Sequence, residues 1–126
     1  TTIPILVDKS VQGSPTPYKL LELDKDGLLY AREMKVNLDS WPDYVFEENY
    51  PLLSLKETEE YITTNKHLPG VPSAEKVEKE GLNLGEMNKI LLQKLEELTL
   101  HVIEQDKKIA KQQEMIDKLL EINAKP

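Results

Sequence analysis

Leu84 to Asn123 constrains this chain more than any other stretch. Taken in steps of four and three, it reads Leu84, Asn88, Leu91, Leu95, Leu98, Val102, Gln105, Ile109, Gln112, Ile116, Leu119, Asn123. The spacing never slips. It sets Asn88, Leu95, Val102, Ile109, Ile116 and Asn123 at heptad position a, with Leu84, Leu91, Leu98, Gln105, Gln112 and Leu119 at d. A mean period of 3.5 held this long marks a left-handed coiled coil. No Gly or Pro interrupts the run after Gly85. Such a helix spans roughly 60 Å at about 1.5 Å per residue. It is too long to fold back within a domain of this size, and alone its seam would stay in water. The pattern points to a homo-oligomer. The alternative is one helix packed on its own domain, which a drifting 3.6-residue pattern would favour.

The residues leave the strand number open. Ile or Val at a with Leu at d leans towards two parallel strands. Gln105 and Gln112 at d, and apolar Met87, Leu92, Met115, Leu120 and Ile122 at the flanking e and g positions, lean towards three. The polar layers at Asn88, Gln105, Gln112 and Asn123 cost stability but penalise shifted registers, in which Gln faces Leu.

With 126 residues, a formal charge of −7 and no Cys, the chain suits one small domain plus the coil. The acidic balance argues against nucleic acid as partner. Zero Cys removes disulfides and thiol chemistry. Thr1 to Leu6 has neither the basic start nor the apolar run of a signal peptide. No stretch of about 18 apolar residues exists to span a membrane. The start at Thr1-Thr2 suggests a piece of something longer.

Residues 1–17 read as an irregular segment that joins upstream structure. Ile3-Pro4-Ile5-Leu6-Val7 is β-like, but its Pro limits it to an edge. Val11 to Pro17 is loop by composition. Residues 18–83 read as a small β-rich region with two short helices. Tyr18–Leu23 and Leu28–Val36 flank Asp24-Lys25-Asp26-Gly27, a strong hairpin turn. In the second run Leu28, Tyr30, Arg32, Met34 and Val36 share the better core face. The turn lacks the further ligands and closing Glu of a calcium loop, so no metal is expected.

Trp41-Pro42-Asp43 marks a turn, and Tyr44-Val45-Phe46 reads as a three-residue strand. Trp41, Tyr44 and Tyr50 admit a glycan-stacking patch. The preferred reading is that these rings cap the small β core, because a domain this small has few other large side chains to bury. Ser54-Leu55-Lys56-Glu57 is a capping box that opens a helix to about Asn65, with Leu55, Tyr61 and Ile62 inward. Pro69 and Pro72 forbid its continuation. Ser73 caps a turn of helix from Ala74 to Glu80, which Gly81 ends. Asn83 and Glu86 then launch the long helix that fills residues 84–126.

No catalytic group, cofactor site or metal site is predicted. His67 precedes a Pro-rich turn and suits a loop hydrogen bond; His101 falls at g. Two lone His residues make no zinc site. The carboxylates alternate with Lys on helix faces, as solvated charge does. Leu100 at f and Ile103 at b are apolar outside the seam. They imply that the heptads from Leu84 to Ile103 are wrapped by the β part and the short helices, whereas those from about Gln105 stand free.

The runs His67-Leu68-Pro69-Gly70-Val71-Pro72-Ser73-Ala74, Gly81-Leu82-Asn83-Leu84-Gly85-Glu86-Met87-Asn88 and Lys94 to Gln105 resemble the C-terminal region of bacterial tail-fibre-domain proteins. Leu23 to Val36 and Trp41 to Phe46 resemble the stretch that precedes it. The resemblance covers about Tyr18 to Gln105, and its specificity lies in the combination. It implies the end of a long, secreted or virion-borne fibre, trimeric, with a more distant likeness to the intramolecular chaperone domains that end phage tail spikes. Some of those release themselves with a Ser–Lys pair. Here the corresponding strand start reads Tyr30-Ala31-Arg32-Glu33, without Ser, and no catalytic residue is carried over.

The expectation is therefore an α+β chain: a small β-hairpin and short-helix region, then a long C-terminal helix in a parallel trimeric coiled coil, with a dimer as the alternative. Its expected role is structural and non-enzymatic, aligning three chains at the end of a fibre outside the cell, on its surface or on a tail-like particle. Its partners are other copies of itself and upstream fibre domains, with no nucleic acid and no membrane insertion. A receptor- or glycan-binding tip and a self-cleaving chaperone are the competing roles.

Overall fold

The Asp24-Lys25-Asp26-Gly27 turn closes on its own side chain. Asp24 Oδ1 accepts from the backbone N–H of Asp26 at 2.9 Å and of Leu28 at 2.8 Å. Gly27 supplies the φ of +84° that the turn requires. This local geometry joins β2 (Tyr18–Leu23) to β3 (Leu29–Ala31) in the computed structural model, which describes residues 6–9 and 18–125. The strands pair antiparallel, with Leu23 opposite Leu29 and Leu21 opposite Ala31. β1 (Leu6–Lys9) adds to the other side of β2, giving the order β1-β2-β3. The β1–β2 register shifts between Val7 and Asp8, a bulge of the kind common at sheet edges. Ile3 to Ile5, the loop from Val11 to Pro17, and Pro126 lie outside the described residues.

The hairpin is shorter than its sequence suggests. β3 stops at Ala31, and Leu28, Tyr30, Met34 and Val36, expected to share a core face, are all exposed. The chain divides into two compact units, Thr1–Asn37 and Leu38–Pro126, and this sheet belongs to the first.

The second unit is helical. A 3-10 helix (Pro42–Phe46) replaces the strand expected at Tyr44-Val45-Phe46. Its cause is local. Pro42 holds a helical φ at the first position, and it drives Trp41 before it to φ −104°, ψ 148°. Residues i and i+3 eclipse in a 3-10 helix, so Pro42 and Val45 fall on one face, and both are buried. That helix packs on α3.

α1 (Leu55–Asn65), α2 (Ala74–Glu80) and α3 (Leu84–Ala124) begin where side chains satisfy orphan N–H groups. Ser54 Oγ accepts from Glu57 N, and Glu57 Oε2 accepts from Ser54 N, completing the capping box. The Ser54 hydroxyl, which donates to Glu57 Oε2 at 2.7 Å, and then the Ser54 backbone N–H hold the Glu57 carboxyl below its ordinary range. Ser73 accepts from Lys76 N, and Asn83 from Glu86 N. α1 ends at Lys66, left-handed at φ +63°. It is less inward-facing than expected: Tyr61 is half-buried, while Leu55 and Ile62 are exposed.

α1, the turn after it, α2 and the start of α3 surround an open cavity of about 430 Å³, lined among others by Tyr61, Val71, Val77, Leu82, Met87 and Ile90. His67, in the turn after α1, packs on α1 through its ring. Nδ1 lies 3.0 Å from the Leu68 carbonyl, and the ring stands edge-on to Tyr61 at 5.6 Å. Among the described residues no group of three or more His, Cys, Asp or Glu could hold a metal ion, and no helix is long and apolar enough to cross a membrane.

Candidate self-association face

α3 has two faces with opposite fates. From Met87 to His101 every b, c, f and g position is buried or half-buried, and every a and d position is exposed. The covered residues lie under the 3-10 helix, the loop residues on either side of it and the turn after α1. From Val102 onward every described residue is exposed. The wrapped segment therefore ends within a residue or two of Ile103, and the remainder of the helix stands free.

Polar groups fasten the cover. The Tyr50 hydroxyl donates to Glu97 Oε1 at 2.6 Å and accepts from Gln93 Nε2 at 3.0 Å. Gln93 Nε2 also donates to Glu97 Oε1 at 3.0 Å, and its Oε1 accepts from the Tyr44 hydroxyl at 3.1 Å. Lys94 Nζ donates to Glu97 Oε2 at 2.7 Å. The two tyrosine rings meet at 5.9 Å. Further towards the helix start, Lys89 Nζ donates to the Asp39 carbonyl at 3.1 Å and pairs with Glu86 at 3.3 Å. Gln93 and Glu97 sit one turn apart on the outer face, so one side-chain network grips a segment more than forty residues earlier in the chain.

This network sets the electrostatics. Burial, then the hydrogen bond to the Glu97 carboxylate, raises the Tyr50 hydroxyl to a pKa of about 12. Burial pushes the Glu97 carboxyl up, but hydrogen bonds from Lys94, Tyr50 and Gln93 together outweigh it and leave it below the ordinary carboxylate value. Glu96, at b, contrasts with its neighbour. It is only 8 % exposed, its Oε2 finds no hydrogen-bond partner among the described residues, and burial, then the nearby Asp43, pushes its carboxyl up.

The seam itself is bare. Leu84, Leu91, Leu95, Leu98, Val102, Ile109, Ile116 and Leu119 are each between 50 and 63 % exposed. The polar layers Asn88, Gln105 and Gln112 are exposed on the same face. Solvated i,i+4 pairs, Glu104–Lys108 at 2.7 Å and Glu114–Lys118 at 2.6 Å, decorate the free segment.

Of the proposed ligand patch, Tyr44 and Tyr50 have their hydroxyls committed to α3, and Trp41 remains half exposed beside them. Where the sequence suggested that these rings cap the β core, the structure lays Tyr44 and Tyr50 on the long helix. The residues that sequence reasoning missed are Gln93, Glu96 and Glu97. Polar residues at b, c and f of a heptad read as solvated. The available signal was apolar Leu100 at f, one turn from Glu96 and Glu97.

No family model, curated protein or solved structure matches this chain.

Proposed function

We propose that the chain is a structural, non-enzymatic self-association module that aligns three copies in parallel through α3. The observation that carries this reading is the division of α3. Its own chain covers and fastens the b, c and f positions of the first half and leaves all the a and d positions in water. A helix docked on its own domain would bury its a and d stripe there; this one buries the opposite face, Ile90 and Leu100 together with Lys89, Gln93, Glu96 and Glu97.

Covering the seam favours association: fully burying a Leu, Ile or Val from an exposed state contributes roughly 1.5–3 kcal/mol, and the apolar seam side chains are each half exposed or more. Polar layers at Gln105 and Gln112 restrict the register, since a slipped chain would face Gln with Leu or Ile.

The resemblance to bacterial tail-fibre-domain proteins supplies the setting: the C-terminal end of a fibre at a cell surface or on a tail-like particle. There a parallel coil held in step would let upstream β structure pair without register error. The exposed Leu28, Leu29, Tyr30, Met34 and Val36 of the first unit support a role in which other chains or upstream domains complete the fold.

Replacing Leu95→Asp together with Leu98→Asp tests the reading. Both side chains are exposed in the single chain, so its own fold tolerates the change. The expected product is a monomer whose tyrosine fluorescence still reports a packed Tyr44–Tyr50 pair. An unchanged oligomeric mass would overturn the proposal.

A further inference from the structure

We infer that the seam is only part of the contact, and that a shelf made by Leu53, Leu55 and Leu68 receives the flank of a second copy's α3. This inference rests on the self-association reading.

The shelf forms one wall of a groove of about 380 Å³. Its other wall belongs to α3 and includes Leu91 and Leu98 at d, Leu95 at a, and Lys94 and His101 at g. The groove therefore opens on the d and g flank of the seam. Its aliphatic residues are unsatisfied on both sides. Leu53, Leu55 and Leu68 are 42–47 % exposed, and the seam leucines opposite them, Leu91, Leu95 and Leu98, are 53–58 % exposed. The groove is continuous with the seam, so whatever covers Leu91, Leu95 and Leu98 must also lie against the shelf.

Charge selects the occupant. In a parallel, in-register coil a g residue faces the e residue five positions on in the next chain. That rule pairs Met87 with Leu92, Lys94 with Thr99, His101 with Asp106, Lys108 with Gln113, and Met115 with Leu120. Apolar meets apolar at both ends. Basic meets neutral polar or acidic between them, and no pair is like-charged. An antiparallel partner would instead set g against g, losing the Met87–Leu92 and Met115–Leu120 matches and bringing together Lys94, His101 and Lys108, two of which already pair with Glu97 and Glu104 of their own chain. The chemistry of the groove edge thus fits a second copy of this chain, parallel and in register.

The same geometry accounts for Ile103. It lies at b, between Thr99 and Asp106 on the flank that enters the neighbour's groove, and it is an apolar side chain left 46 % exposed in the single chain. Ile103 of one chain packs on Leu53 and Leu55 of the next. Each subunit gives its shelf to one flank and its own flank to another shelf, and with three chains the contact runs head-to-tail around the axis and closes as a ring.

The native chain has no cysteine, which makes the test clean. One sample carries Leu53→Cys and a second carries Ile103→Cys; the two are unfolded, mixed, refolded together and treated with a short bis-maleimide. The expected result is an interchain dimer in the mixture and little or none in either sample alone. In parallel, Ile103→Ser is expected to raise the half-dissociation concentration about tenfold, whereas a solvated b position would leave it unchanged. An oligomer of normal mass that shows no mixed cross-link and no effect of Ile103→Ser overturns the shelf contact and leaves the seam standing. A monomeric native chain overturns both.

Discussion

Val45→Ala separates the wrapping of α3 from its assembly. Val45 is 1 % exposed and, with Pro42, is a fully buried side chain of the 3-10 helix that packs on α3. Alanine removes two methyl carbons, or about 1.6 kcal/mol at roughly 0.8 kcal/mol per buried carbon. A residual cavity brings the loss to about 2–3 kcal/mol. Because this helix lies on the face of α3 opposite the seam, the loss falls on the local opening of residues 38–53. At about 1.4 kcal/mol per tenfold, the open population grows roughly 30- to 150-fold. Amide hydrogen exchange resolved by peptide reads this directly. Peptides within 38–53 are expected to exchange faster by that factor, those within 102–124 to be unaffected, and the sedimentation mass to hold. A fall in mass, with faster exchange throughout α3, would refute the idea that the covered back and the bare seam act independently. Unchanged exchange in 38–53 would refute the anchoring role of Val45.

Three further outcomes follow from the same geometry. Tyr50→Phe removes the donor 2.6 Å from Glu97 and is expected to cost about 1–3 kcal/mol by thermal or urea unfolding. Since the native Tyr50 pKa of about 12 exceeds its ordinary 10.0, its contribution is complete below pH 10 and lost as pH rises towards 12. The difference between the native chain and Tyr50→Phe should shrink over that window; a constant difference would contradict it. Glu96→Gln is expected to stabilise at pH 7, because a carboxyl whose pKa is raised on folding favours the fold when protonated and opposes it when charged. That advantage should vanish as pH falls through the carboxylate range, and a destabilised Gln variant at pH 7 would mean that the charge has a partner. Gln105→Leu with Gln112→Leu is expected to raise the melting temperature of the assembly while admitting shifted registers. A single register retained in cross-linking of the variant would move the register function elsewhere.

The parts of the fold set by near neighbours were legible in the sequence. Ser54 with Glu57, Ser73 and Asn83 cap helices through bonds that reach three residues, and all three helices begin where those residues place them. Asp24 and Gly27 close their turn in the same local way. Leu100 marked the wrapped segment, which ends at His101, two residues short of Ile103. Tyr44-Val45-Phe46 misled because a three-residue apolar run is ambiguous, and Pro42 at its first position tips it to a 3-10 helix. The run Leu28–Val36 overran for a related reason. Alternation marks a strand only where a neighbour pairs with it, and β2 pairs no further than Ala31. The network joining Tyr44 and Tyr50 to Gln93 and Glu97 spans more than forty residues, and no periodicity encodes that contact. Buried Glu96 was hidden for the opposite reason: a charged b position fits the heptad too well to draw notice.

Sedimentation equilibrium of the unmodified chain over a wide concentration range decides whether α3 joins three chains. The expected mass is three times the 14.5 kDa of one chain, persisting on dilution. Twice that mass would keep the parallel seam and remove the third strand. A single-chain mass at every concentration would rule out self-association through α3, since the exposed a and d residues would then have no partner at all.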